Sequence, residues 1–288
     1  MKPPPFDYVR ADSLAMAIAV LSEHRDEAKV LAGGQSLMPM LAFRMVAPRI
    51  LVDIGRLAEL KAITLEAGGL SLGALVRWCD IERSEWLATE QPLVAEAVRH
   101  VAHYQIRNRG TVGGSLAHAD PAAELPAIAL LCDATIDVAG PRLRQIPAAD
   151  FFTGPLMTAI HPDEVITGLR FPPWPVKRRW AFEEFSRRKG DFALAGIALY
   201  YDEAREGTIV APHIVGFGIG NTPVRLTAAE VILRGSTMDV ARIAEAVRVA
   251  ADRIEISGDI HAPADYRAAL LGTLLERALR RAAGLSEI

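Results

Sequence analysis

Ala32-Gly33-Gly34-Gln35-Ser36 and, far downstream, Thr111-Val112-Gly113-Gly114-Ser115 decide how this chain is read. Each is a double glycine with a hydroxyl residue close behind, and Val30-Leu31-Ala32 leads into the first as an apolar strand end. Glycine lets the backbone take positive φ and approach a ligand with no Cβ in between. Successive N–H groups in such a turn converge into an anion-binding nest. A single Gly-Gly is also an ordinary turn signal. Two of them, each beside a hydroxyl residue, predict a pair of nests that clasp a diphosphate from both sides with little fixed positive charge.

The chain has 288 residues, enough for two domains or one large one with sub-domains. Hydrophobic residues make up 51% and the net charge is −3, so there is no basic field for nucleic acid and no polybasic membrane patch. No uncharged apolar run approaches the roughly 18–20 residues of a membrane span. Met1-Lys2-Pro3-Pro4-Pro5-Phe6 lacks the apolar core of a signal peptide, and a cytoplasmic location is expected. Cys79 and Cys132 stand far apart and in no C-x-x-C, which argues against a structural zinc or a self-contained iron–sulfur cluster. Both are expected as buried thiols.

Asp12 or Ser13 caps a predicted helix through about His24, with Leu14, Ile18 and Leu21 on one face. Strand 29–32 enters the first glycine turn, and 37–45 follows as a short helix that tolerates Pro39 near its start. A strand at 50–54 and a hairpin over 63–72 around Gly68-Gly69 come next. Pro92 opens a helix to about Ala102, and Asp120-Pro121 starts another through Leu131. Strands are predicted at 134–138 and 164–171, closed by Pro172-Pro173-Trp174-Pro175 as a boundary. Beyond it, strands at 179–185, 192–200 and 208–216 precede helices at 227–233, 240–254 and 263–281, an α+β pattern.

Other chemistries fail on their spacing. Gly216-Phe217-Gly218-Ile219-Gly220-Asn221 approximates a dinucleotide fingerprint, but it ends in Asn with Pro223 behind, and reads as a strand end. There is no P-loop, and Gly34-Gln35-Ser36-Leu37-Met38 lacks the last glycine of a nucleophile elbow. His100 with His103, and His118 with Asp120, lack the companions of a metal site. Arg107 and Arg109 flank the second glycine segment, where they either lie in a solvated loop or compensate a diphosphate or docking charge. Asp120 and Glu124 suit a helix start through the macrodipole, and equally suit sugar hydroxyls of a nucleotide held nearby.

The stretches 32–37 and Ile106-Arg107-Asn108-Arg109-Gly110-Thr111-Val112-Gly113-Gly114-Ser115-Leu116-Ala117-His118-Ala119-Asp120-Pro121 closely resemble the FAD-binding medium subunits of molybdenum hydroxylases. The resemblance, which takes in aerobic carbon monoxide dehydrogenase and xanthine dehydrogenase, extends through 164–172 and 185–193. It implies a p-cresol methylhydroxylase (vanillyl-alcohol oxidase)-type FAD domain over 1–175, with sub-domains at about 1–57 and 58–175. A smaller α+β domain of the carbon monoxide dehydrogenase flavoprotein type follows over 176–288. The resemblance also implies that Val30, Leu31, Ala32, Gly33, Gly34, Gln35, Ser36 and Leu37 hold a non-covalent FAD together with Thr111, Val112, Gly113, Gly114 and Ser115. Ile106 would line its pocket, Asp120 and Glu124 would contact the nucleotide portion, and Thr167, Leu169, Lys189 and Phe192 would border the isoalloxazine, Phe192 as a covering ring.

The implied function is electron transfer. A large partner subunit would carry the molybdenum cofactor, and a small one two [2Fe–2S] clusters, in a dimer of heterotrimers. NAD⁺, a quinone or oxygen would be the acceptor, and no catalytic acid–base pair is expected on this chain. The cysteine-rich insertion of the benzoyl-CoA reductase relatives is missing, leaving FAD as its own redox group. Two alternatives stay open: a free-standing flavoenzyme of the same fold acting on a small molecule, and an FAD-less module serving assembly. The intact glycine segments speak against the second.

Overall fold

The computed structural model describes residues 2–286. A three-stranded parallel sheet opens the chain, with β1 (Asp7–Arg10), β2 (Ala28–Leu31) and β3 (Ile50–Asp53) in the order β1-β3-β2. The helix α1 (Leu14–His24) is capped by the Ser13 hydroxyl, which accepts the Met16 N–H, and it buries Ala17 and Leu21 against the sheet. The short α2 (Leu37–Ala42) follows the first glycine segment and stops earlier than the sequence pattern suggests.

The second sheet is antiparallel, ordered β4-β5-β10-β6-β7. Its strands are β4 (Ile63–Glu66), β5 (Gly69–Gly73), β6 (Thr135–Ala139), β7 (Leu143–Pro147) and, after the small hairpin β8 (Phe152–Gly154) and β9 (Met157–Thr158), β10 (Val165–Phe171). Between β5 and β6 run α3 (Trp78–Glu82), α4 (Glu85–Glu90), α5 (Pro92–His100), α6 (Tyr104–Arg107), α7 (Val112–His118) and α8 (Glu124–Leu131), and α9 (Ala148–Phe151) follows β7. The helix expected from Asp120 begins only at Glu124. Asp120 Oδ1 accepts the Ala122 N–H at 2.9 Å and closes a turn, and Ala119 takes φ 50°, so the intervening residues never wind into helix.

The third sheet is an antiparallel meander of β11 (Arg179–Phe185), β12 (Ala195–Glu203), β13 (Ile209–Phe217) and β14 (Val224–Arg225). It is followed by α10 (Thr227–Leu233), α11 (Val240–Val249) and α12 (Ala264–Ala283). Side chains alternate across a strand, and β12 is buried on both faces. Ala195, Ile197, Leu199 and Tyr201 enter the core beneath α10 to α12, while Ala198 and Tyr200 enter the core shared with α5 and α8. That second core also contains Phe182 and Phe217, so apolar packing runs unbroken across the Pro-rich segment at 172–175.

Buried Arg267 ties the third sheet's loops to α12 by donating to the Leu194 and Gly218 carbonyls, and it pairs with Asp259 at 2.7 Å. Cys79 and Cys132 are buried and unpaired, as their apolar neighbours suggest, and burial pushes the Cys132 thiol up to about 12.

Candidate functional site

The two glycine segments meet. A Cβ built on Gly33 would stand 2.1 Å from the Arg109 carbonyl oxygen, so the first segment crosses, backbone to backbone, the residues that lead into the second. Gly34, at φ +73°, turns the chain in the left-handed region that glycine takes without strain. Around this crossing opens a cavity of about 620 Å³, within the roughly 300–1,000 Å³ of small-molecule sites.

The segments are not equivalent. Among the described residues no protein acceptor meets the N–H groups of Gly33, Gly34, Gln35, Ser36 or Leu37, and all of these residues line the cavity. Gln35 donates its amide to the Gly33 carbonyl at 3.0 Å and braces the turn. Here the nest is open. The second segment is instead the first turn of α7, because the Thr111 hydroxyl caps that helix by accepting the Gly114 N–H at 3.1 Å. The Gly113 N–H goes to the Ala74 carbonyl, and the Ser115 N–H to Thr111. The expected second nest is therefore closed on the protein. What it brings to the cavity is the Thr111 and Ser115 side chains and the glycine backbone of 113 and 114.

Of the other residues singled out, Val30, Ala32, Ile106, Glu124 and Phe192 stand at the cavity wall, Phe192 with 57% of its surface exposed. Leu31, Val112, Asp120, Thr167, Leu169 and Lys189 do not line it. Val112 and Leu169 are fully buried in the core, and the Thr167 carbonyl accepts the Ala74 N–H. Lys189 is exposed, one residue short of Gly190, which does reach the wall. Asp120 and Glu124 part company. Asp120 serves its own turn and lies 3.9 Å from His118, whereas Glu124 is buried against Trp78, Val98 and Val101. Arg107 is neither solvated nor aimed at the cavity. It donates to the Val101 and Ala102 carbonyls and pairs with Glu82 at 3.0 Å, fixing the loop that presents Ile106.

Ile166, at the head of the strand expected to border the flavin, does line the cavity, but the sequence pattern missed Trp78, Ala74 and the 156–165 stretch, which supplies Met157, Ile160 and His161 to the far wall. These residues carry no motif, and only the pairing of β10 with β5 and β6 brings them across. Burial raises the Glu124 carboxyl to about 7, with the Asp120 charge adding to it, and lowers the His118 imidazole. Among the described residues no group of three or more His, Cys, Asp or Glu could hold a metal, and no helix is long and apolar enough to cross a membrane.

An open row of backbone donors beside a cavity of this size and mixed lining fits a dinucleotide diphosphate. Residues 4–174 match the model of the FAD binding domain in molybdopterin dehydrogenase, and residues 180–282 that of the CO dehydrogenase flavoprotein C-terminal domain. The chain belongs to this family, and is an FAD-binding oxidoreductase chain of the medium-subunit type found in molybdenum hydroxylases.

Among its relatives, the 6-hydroxypseudooxynicotine dehydrogenase complex subunit alpha of Paenarthrobacter nicotinovorans is 41% identical over 98% of this chain and 96% of its own. The caffeine dehydrogenase subunit beta of a Pseudomonas species is 38% identical over 98% and 96%. A solved carbon monoxide dehydrogenase from Hydrogenophaga pseudoflava superposes with a TM-score of 0.95 at 35% identity, covering 99% of both chains.

Proposed function

We propose that this chain is the electron-transfer subunit of a heteromeric molybdenum hydroxylase. It takes electrons from the [2Fe–2S] clusters of a small subunit and passes them to an external acceptor, NAD⁺, a quinone or oxygen. Substrate is hydroxylated on a large molybdenum subunit, and the assembly is a cytoplasmic dimer of heterotrimers. The single observation that carries the assignment is the run of acceptor-free N–H groups from Gly33 to Leu37 facing the cavity. When bound, FAD supplies a carrier that trades electrons singly or in pairs.

The protein's own residues position and enclose it. Gly33 to Leu37 hold the diphosphate, with the Thr111 and Ser115 hydroxyls opposite. Ile106, fixed through Arg107, and Phe192 flank the flavin end, and residues 176–288 form a domain that closes that side. Met38, Phe43 and Met45 are exposed just beyond the first glycine segment. An exposed apolar cluster of this kind suits a partner interface, and we assign it to the iron–sulfur subunit.

Affinity isolation from the native host, followed by the visible spectrum and metal analysis, tests this. A heterotrimer carrying FAD, iron and molybdenum is expected. A lone yellow chain without metal would overturn the assignment in favour of a free-standing flavoenzyme.

A further inference from the structure

Two carboxylates with no bonded cation lie buried where the cavity wall meets the third sheet. Glu184, on β11, has 4% of its side chain exposed, and among the described residues its Oε2 has no hydrogen-bond partner. Glu124, at the start of α8, is 6% exposed and reaches the cavity. The two lie close enough for the charge on Glu124 to disfavour ionisation of Glu184. Beside Glu184 stands His100 of α5, its Nδ1 3.9 Å from Glu184 Oε2 and its Nε2 3.7 Å from Glu96 Oε1. Both carboxylates are buried, whereas the side chains of His100 and Glu96 are 34% and 29% exposed.

Resting on the electron-transfer assignment above, we propose that Glu124, Glu184 and His100 form a proton route between solvent and the flavin cavity. Reducing a flavin by an electron pair takes up two protons, and reoxidation by a one-electron acceptor that takes no hydrogen, such as ferricyanide, releases both. The electrons come from the partner's clusters and leave to the acceptor, while the route carries protons alone and draws them from bulk water. Glu124 gives its proton into the cavity, Glu184 reprotonates Glu124, His100 reprotonates Glu184, and solvent restores His100. Reoxidation runs the same transfers backwards. The immediate surroundings of Glu124 are apolar, with Trp78, Val98 and Val101, while His118 and His161 also line the cavity.

A purely structural role does not require acids here. Burying carboxyl groups without a cation is costly, and Gln would fill the same space. The charged groups that act on the series are Glu96 on α5, Arg281 on α12, Lys189 in the loop after β11 and Asp120 before α8, while Glu183 points to the other face of β11. Arg281 is 2.8 Å from Glu183, and both Lys189 and Arg281 oppose a charge on His100. Burial raises both carboxyls, Glu184 to about 9, which keeps protons on the pair at neutral pH.

The test uses the purified holo-complex with Glu184→Gln and, at the solvent end, His100→Asn. Stopped-flow reoxidation by ferricyanide, which takes electrons and no protons, is followed by flavin absorbance and, in the same shot, by a pH-indicator dye reporting the two protons released to bulk. Positioned acid–base transfer contributes about 10²–10⁴-fold. Both variants should therefore retain flavin, while proton release slows by about tenfold or more and the solvent deuterium effect grows. His100→Asn changes a half-exposed side chain, so it keeps the test valid if Glu184→Gln fails to assemble. A loaded complex whose proton release keeps its normal rate in the assembled variants overturns the route alone. A wild-type complex lacking flavin or iron overturns the electron-transfer assignment and the route with it.

Discussion

Gly33→Ala separates two reasons for a glycine at this position. If glycine is needed only so that a ligand can approach, alanine would cost FAD affinity and leave the empty protein untouched. The structure gives another reason. The new Cβ would lie 2.1 Å from the Arg109 oxygen, 2.9 Å from its carbon and 3.2 Å from Gly110 Cα, where ordinary contact begins at 3.4 Å. All these atoms are backbone, so one segment must retreat by about 1.3 Å, and the cavity deforms with it. Overpacking costs about 1–3 kcal/mol, and backbone on both sides puts this case near the top. At about 2–4 °C per kcal/mol for a chain of this order, the flavin-free protein should melt about 6–12 °C lower. Gly34→Ala is the control. Its Cβ meets only side chains, Met38 at 3.2 Å and Leu31 at 3.4 Å, and the left-handed φ of +73° should cost about 1–2 kcal/mol. Calorimetry of both variants without flavin, with FAD titration alongside, decides the matter. A Gly33→Ala protein that melts like wild type when empty but has lost FAD would refute the crossing argument and restore the ligand-only explanation.

Three further outcomes follow from the geometry. Arg107→Ala removes the Glu82 pair and the bonds to the Val101 and Ala102 carbonyls. It should cost about 1.5–3 kcal/mol and weaken FAD retention by loosening the loop before Ile106; unchanged melting and unchanged flavin stoichiometry would contradict this. Thr111→Val deletes the cap of α7 and should cost about 1 kcal/mol, measured by urea unfolding. For Glu184, the folded protein holds a proton that the unfolded chain releases near its ordinary carboxyl range, so stability falls as pH rises from there to about 9. Glu184→Gln should flatten that part of the stability–pH curve and leave the variant the more stable protein at alkaline pH. A variant curve as steep as wild type would show that Glu184 titrates normally.

The elements were legible where local chemistry decides them. Ser13 caps α1 as expected, Arg179–Phe185 is β11 and Thr227–Leu233 is α10 to the residue. The first glycine segment was legible as an open turn because its N–H groups meet no protein acceptor among the described residues. The second misled because its partners are remote: Gly113 is satisfied by Ala74 on a preceding loop, and Thr111 caps rather than turns. Arg107 was ambiguous in sequence for the same reason, since Glu82 and two loop carbonyls claim it only after folding. Leu169 illustrates the limit of motif transfer along a strand. Ile166 and Leu169 enter the same core, but only Ile166 also reaches the cavity, and a register shift between Ile166 and Gly168 separates them along the strand.

The core that joins α5 and α8 to Phe182, Tyr200 and Phe217 makes the molecule mechanically stiff across the junction of its two family segments. Swinging the third sheet away on the proline stretch would bring those rings into water, so wholesale gaping is the expensive way to admit a cofactor. Entry past Gly190 to Phe192, at the cavity rim, would leave that core intact. A chain cut near residue 175 would accordingly be a damaged protein with raw apolar helix faces, prone to clump before it met any flavin.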